Sequence, residues 1–353
     1  MVATPVVREA FGMTFECPPG YLDTPSIGVP PQSAADALAA AVGEWRVGGA
    51  RGTDFDPAVE VTRSAFAALC GVDPASVTIG GSVSALVGLV AGAAPAGARV
   101  LTASGEFTSV TFPFAVQASR GIVIDEVSVA QIPEHAPDYD IVAVSAVQSR
   151  DGTMLDLARL REAVRGSQTR VIMDVTQAAG WLPLRLDWVD AVVCCGYKWL
   201  LSPRGAAWMA VRRDYAETMV ARSAGWYGGE SPWDTIYGLP LRQAPDGRRF
   251  DTSPAWFCYL GAAAVLPELA ALDPAELYAH CAGLADAFRA EFGLPATGSA
   301  IVSVDAPDGA ERAARAGLRA STRAGRVRLG FFLYNDANDL DRAVWAFSRK
   351  AVS

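Results

Sequence analysis

The chain has 353 residues, 51 % of them hydrophobic and 19 % charged, with a net charge of −8 and six cysteines. That balance excludes a disordered chain, and the lack of any basic block or basic–aromatic run excludes a nucleic-acid surface. Sparse cysteines without metal-type spacing predict a reduced, cytoplasmic protein with no metal site.

No run of about 18 uncharged apolar residues occurs, so no membrane span is expected. The N-terminal residues show no apolar core of signal-peptide length. A chain of this length is expected to form one large domain and a smaller one.

Residues 1–30 are punctuated by Pro and Gly and read as an extended arm. Helical spacing starts at Ser33 (SAADALAAAVGEWRVG) and returns in DPAVEVTRSAFAALCG, which stops at Gly71. Short apolar runs then alternate with helical ones: VTIGG, SVSALVGLVAGAA, ARVLTA, EFTSVTFPFAVQASR, IVIDEV, IVAVSAVQ, MLDLARLREAVRG, RVIMDV, AVVCC and AAWMAV. Apolar strands separated by helices predict an α/β fold with a mostly parallel sheet covered on both faces. The rhythm changes after about Arg249. One helix (PAWFCYLGAAAVLPELAAL), a second (DPAELYAHCAGLADAFRAEFG), two strands and a last helix predict a small α+β domain. The expected division is an arm 1–30, a large domain 31–253 and a small domain 254–353.

The chemistry is concentrated around a lysine. Of 30 basic residues only Lys198 and Lys350 are lysines, yet Lys198 stands inside the apolar stretch AVVCCGYKWLLSPRGAAWMAV. Arg would supply the same charge. What Lys adds is an amine that can lose its proton and act as a nucleophile. Asp174 ends an upstream strand, where ligands of such sheets bind. Gly80, Gly81, Ser82 and Ser84 mark a strand-to-helix junction whose free backbone N–H groups suit a phosphate. An amine, a carboxylate and a phosphate cradle together match pyridoxal 5′-phosphate, which needs one of each.

These segments, taken in order, resemble the class V aminotransferase superfamily of fold-type-I pyridoxal-phosphate enzymes. That group includes cysteine desulfurases, isopenicillin-N-epimerase-like proteins and kynureninases. The likeness runs from YLDTPSIGVPP to RVRLGFFLYND. It implies a large domain with a seven-stranded mixed sheet, a small C-terminal domain, and a homodimer with shared active sites. It assigns Lys198 the Schiff base and the proton shuttle. Gly81, Ser82 and Val83 would hold the phosphate, with Cys195 and Tyr197 beside it. Phe107 would stack on the ring, Asp174 would partner the ring nitrogen and Gln177 the ring hydroxyl. Thr252 or Ser253 would reach the phosphate of the neighbouring subunit. Arg328, or Arg326 two residues away, would bind the substrate carboxylate, with Gln148 and Gly28 near the substrate. His135 and His280 receive no role.

The departures from the relatives narrow the reaction. No Cys follows Cys281, so the mobile nucleophile of desulfurases is missing. Gln177 and Gly229 stand where kynureninases carry His. An aminotransferase-like reaction on a small amino acid is therefore the first expectation. A Cβ–S lyase is the alternative, of cysteine-conjugate, selenocysteine-lyase-like or ergothioneine-precursor type, the last because KWLLSPRG is similar to the lysine segment of such lyases. A kynureninase-like hydrolase and a non-catalytic cofactor-binding relative complete the set.

Overall fold

The computed structural model describes residues 6–348; residues 1–5 of the arm and 349–353 of the C-terminal segment lie outside them. Where an extended arm is expected, the chain first makes a hairpin. Val6–Ala10 (β1) pairs antiparallel with Met13–Cys17 (β2). Phe11 and Gly12 take φ of 52° and 78° between them, the two positive values that a tight type I′ hairpin turn requires. The rest of the arm crosses the C-terminal unit: Leu22 N–H donates to Arg319 O, and Gly330 N–H to Leu22 O.

Gln32–Arg46 (α1) and Asp56–Cys70 (α2) follow. Gly71 ends α2 at φ 65°, the left-handed stop expected from its sequence. The main sheet is then built from Val77–Gly80 (β3), Arg99–Ala103 (β4), Val123–Val127 (β5), Ile141–Ser145 (β6), Arg170–Asp174 (β7), Ala191–Cys195 (β8) and Ala207–Val211 (β9). Between them lie Val83–Ala93 (α3), Thr108–Ala115 (α4), Ile132–His135 (α5) and Leu157–Ala163 (α6), with Arg213–Ala216 (α7) after β9. The seven strands stand in the order β3-β9-β8-β7-β6-β4-β5. Neighbours from β8 to β5 are parallel, whereas β9 runs antiparallel to both β8 and β3.

Alternation along these strands feeds two cores. Val142, Val144, Met173, Val192 and Cys194 join the core on one face; Ile141, Ala143, Ile172, Val193 and Cys195 join the other. Every residue of β6, β8 and β9 is buried, which is why their sequences are nearly continuous apolar runs.

The chain after 254 begins with Trp256–Ala263 (α8) and Leu266–Ala271 (α9), followed by Pro274–Glu291 (α10). The single helix expected over 254–272 is two. Pro267 lies in the first turn of α9, where it cannot continue the hydrogen bonding of α8. Helix α8 packs on α1 and α2, and α9 packs on α2. Ile301–Val304 (β10), Gly309–Arg315 (α11), Ser321–Arg323 (β11), Arg326–Gly330 (β12) and Ala337–Phe347 (α12) complete the unit, with strand order β10-β12-β11.

One buried ion pair fastens α2 to the end of the large unit. Arg63 Nη2 lies 2.9 Å from Asp251 Oδ2, with the two side chains 5 % and 1 % exposed. Asp251 Oδ1 also accepts the Ile79 N–H at 2.8 Å. Removing either partner leaves a buried charge uncompensated. Arg63→Met or Asp251→Asn is expected to lower unfolding stability by about 3–5 kcal/mol, and the double substitution by less than the sum. Urea unfolding of the four proteins in the cycle measures this; additive losses would show the pair uncoupled.

Candidate active site

The strands of the main sheet deliver their chemistry to one edge. Gly80 ends β3, Ser145 ends β6, Asp174 ends β7 and Cys195 ends β8. Glu106 and Phe107 follow β4, and the turn before β9 carries Arg204. Phe107, Ser145, Asp174, Cys195 and Arg204 line a cavity of about 170 Å³ at this edge.

Lys198 reaches this cavity from the turn after β8 and is only 6 % exposed. Its Nζ lies 5.3 Å from the centre of the Phe107 ring and 5.7 Å from that of Tyr197. Burial pushes the Lys198 ammonium down from its ordinary pKa, against the opposing pull of the Asp174 carboxylate. The turn is packed from outside by the arm. Gly28 N–H donates to Tyr197 O at 2.9 Å. A Cβ at Gly28 would collide with the Lys198 carbonyl. Gly28 is therefore not on the cavity wall, as the substrate role expected of it would require; it is the spacer that lets the arm lie on the lysine turn.

Asp174 is fully enclosed. Its Oδ1 accepts the Thr176 N–H at 2.8 Å, while Oδ2 accepts no hydrogen bond among the described residues. Burial raises its pKa to about 6 despite Thr176 and the Lys198 charge. Thr176, which the sequence reading passed over, also uses Oγ1 to accept the Cys195 N–H at 3.1 Å. The Cys195 thiol is pushed up by burial, so it meets the cavity as a neutral S–H.

Gln177 lines the cavity, but its amide is committed elsewhere. Trp199 Nε1 donates to its Oε1 at 2.7 Å, and its Nε2 donates to Pro25 O at 3.0 Å and to Ser149 Oγ at 3.1 Å. Both amide hydrogens are used, which disfavours the ring-hydroxyl role expected of it. Gln148 is displaced further. Its Nε2 donates to Glu106 Oε2 at 2.8 Å, and Ser149, the next residue, takes the place on the wall. Glu106 also accepts from Ser145 N and from Phe107 N at 2.8 and 2.7 Å, which fixes the backbone under the Phe107 ring.

Arg328 is 1 % exposed and stands behind Ser149. It donates to Ser149 Oγ at 3.1 Å, to Ser26 Oγ at 2.8 Å and to Ser321 Oγ at 3.2 Å. No carboxylate among the described residues lies within 4.0 Å of it, and burial pushes its pKa down to about 10. A buried guanidinium held only by neutral groups is ready for an anion. Arg326 is spent on Asp305 at 2.6 Å on the surface, which separates the two candidates. Ser82 caps α3 and, with Gly81 and Val83, forms one end of the cavity. Thr252 and Ser253 do not line the cavity of their own chain. Arg204 does; nothing in its local sequence, the turn SPRG, marks it as facing the cavity.

The family model described as "Aminotransferase class-V" matches residues 41–291. The "Uncharacterized aminotransferase YcbU" of Bacillus subtilis is 30 % identical over 269 residues, which are 69 % of this chain and 69 % of that protein. The kynureninase of Stenotrophomonas maltophilia is 39 % identical over 103 residues, 28 % of this chain and 24 % of the enzyme. Among solved structures, the cystine C-S lyase C-DES in complex with cysteine persulfide superposes with a TM-score of 0.82 at 22 % identity, over 92 % of this chain and 96 % of that one. The Escherichia coli cysteine desulfurase CsdA gives 0.77 at 18 % identity, over 95 % and 94 %. These structural likenesses carry the fold.

The buried Asp174 makes a pH prediction for protein freed of cofactor. Folding raises its pKa from 3.8 to about 6, so the folded chain holds that proton more tightly than the unfolded chain. The stabilisation is complete below the unfolded value and is lost as pH rises through about 6. It amounts to roughly 3 kcal/mol. Asp174→Asn removes this term. The stability gap between the variant and the wild type should therefore shift in the variant's favour by that order between about pH 4 and pH 7, read by urea unfolding. A gap that ignores pH would contradict the assignment.

Proposed function

The chain belongs to the aminotransferase class-V family, and from that premise we propose that it is a pyridoxal-5′-phosphate enzyme acting on a small amino acid, with an aminotransferase-like proton transfer at its α-carbon. The observation that supports this best is the buried Lys198 amine facing a buried Asp174 carboxylate in one cavity.

The residues present fit the cofactor. Asp174 has an oxygen to spare, an added Cβ at Gly81 would meet nothing within 4 Å, and Phe107 turns a ring toward Lys198. When bound, pyridoxal phosphate supplies an aldehyde that condenses with amines and a ring that withdraws the electrons left at an α-carbon. Lys198, its charge opposed by burial, would hold the aldehyde carbon. Asp174 would hold a proton on the ring nitrogen, and that pairing would offset the cost of burying its carboxylate. Phe107 would lie against the ring, and the N–H groups of Gly81, Ser82 and Val83 would hold the phosphate. Arg328 takes the substrate carboxylate by paired N–H donors. The Lys198 amine would then be the base that moves the α-proton of the bound amino acid.

Elimination at a Cβ–S bond is the second reading. Five of the six cysteines are buried and Cys258 is half-buried, and burial keeps the Cys195 thiol at the cavity protonated and so a poor carrier for a sulfur leaving the substrate. Several further expectations stand as proposals: the division at 31–253 and 254–353, a cytoplasmic location, and a homodimer in which Thr252 or Ser253 reaches the partner's phosphate. Supporting the last is the segment around Tyr237 and Leu239, whose apolar side chains are 89 % and 91 % exposed.

Borohydride treatment of the cofactor-loaded protein should attach the cofactor to the peptide containing Lys198, and Lys198→Ala should abolish that product. Attachment elsewhere would overturn the assignment. Arg328→Met should trap cofactor normally but raise KM for the amino acid by about 10–100-fold, the loss of about 1.5–3 kcal/mol of charged hydrogen bonding. Dependence of turnover on a 2-oxo acid identifies transamination; pyruvate and ammonia released without one identify elimination.

A further inference from the structure

The cavity wall carries two cationic side chains, Lys198 and Arg204. The first is committed to the aldehyde in the reading above, on which this inference rests. The Gly81–Ser84 turn contains no basic residue, so a phosphate held there with a charge near −2 would have dipoles and hydroxyls but no counter-charge. Arg204 makes no ion pair with any described residue. Its guanidinium carbon lies 5.2 Å from the centre of the Tyr197 ring, on which it rests as a cation over a π-face.

The sheet sets this arginine beside the phosphate turn. Strands β3 and β9 are antiparallel with Gly80 opposite Ala207. Continuing that register beyond the strand ends brings the residues before Ala207 alongside those after Gly80, which are Gly81–Ser84. Tyr259 clamps the two strands at this point: its hydroxyl lies 2.8 Å from Gly80 O and 2.9 Å from Ala207 O. The turn bearing Arg204 is itself fixed. Gly205 has φ +124°, a conformation other residues rarely adopt, and a Cβ there would lie 2.7 Å from Cys258 Sγ. Cys258 Sγ in turn donates to Arg204 O at 3.2 Å.

We infer that Arg204 is the counter-ion of the cofactor phosphate within its own chain, docked on Tyr197 and aimed along the wall toward the N-terminus of α3. Its role is binding and not proton transfer. An arginine that grips the phosphate should distinguish pyridoxal phosphate from pyridoxal, which lacks that group.

The test compares binding of both compounds to cofactor-free wild type, Arg204→Gln and Arg204→Lys, by titration calorimetry or quenching of tryptophan fluorescence. In Arg204→Gln, affinity for pyridoxal phosphate should fall about 10–100-fold, as expected for one charged hydrogen-bonding partner. Affinity for pyridoxal should be unchanged, and Arg204→Lys should restore part of the loss. An equal loss for both compounds would mean a structural role and overturn the inference. Unchanged binding of both, with a raised KM for the amino acid, would move Arg204 to the substrate and also overturn it. Wild type that binds neither compound would overturn the proposed function itself, an outcome separate from either of these.

Discussion

The Lys198 amine is held at the carboxyl edge of a seven-stranded sheet, 6 % exposed, where loss of solvent opposes its charge. Most of the surrounding architecture serves to keep it there. An ammonium in that position would be costly unless paired, and its neighbours supply only partial pairing: a buried carboxylate that is itself raised and a neutral thiol. Burial opposes the charge of both groups, and among the described residues no salt bridge joins them, unlike the buried pair Arg63–Asp251.

The N-terminal arm connects the seven-stranded and three-stranded sheets through this site. Pro25 accepts from Gln177 and Gly28 donates to Tyr197, both on the large sheet's edge; Ser26 accepts from Arg328 of the small sheet. Ser149 joins the same network, accepting from both Gln177 and Arg328. Arg328, the turn after Asp174 and the lysine turn are thus tied by one set of hydrogen bonds within four residues of the arm. Gly28 is required because a larger residue would push the arm off the Lys198 carbonyl. The geometry of the reacting groups therefore depends on a segment that carries no reactive group.

Lys198, Asp174 and the Gly81–Ser82 turn were legible in the sequence, and so was the alternation of strands and helices that converges them; Phe107 was named only by the family resemblance. The reason is local. Apolar runs of five residues declare buried strands, and a polar residue at the end of such a run must lie at the sheet's edge. The rarity of lysine marked the amine, and Gly71 marked the end of α2. By contrast, a 254–272 segment read as one helix is broken at Pro267, and an arm read as extended folds back at Phe11 and Gly12.

The side-chain partners were decided by the tertiary structure. Gln177 and Gln148 have the right chemistry and lie in the right segments, yet Trp199, Pro25 and Glu106 from distant parts of the chain claim their amides. Arg326 and Arg328 share a strand face, and only the presence of Asp305 on one side and three serine hydroxyls on the other tells them apart. Arg204 gains its place from an antiparallel register between strands more than a hundred residues apart in the sequence. Local pattern specifies which residues reach the edge of the sheet. Which of them remain unpaired there depends on contacts between segments far apart in the chain, and periodicity carries no record of those.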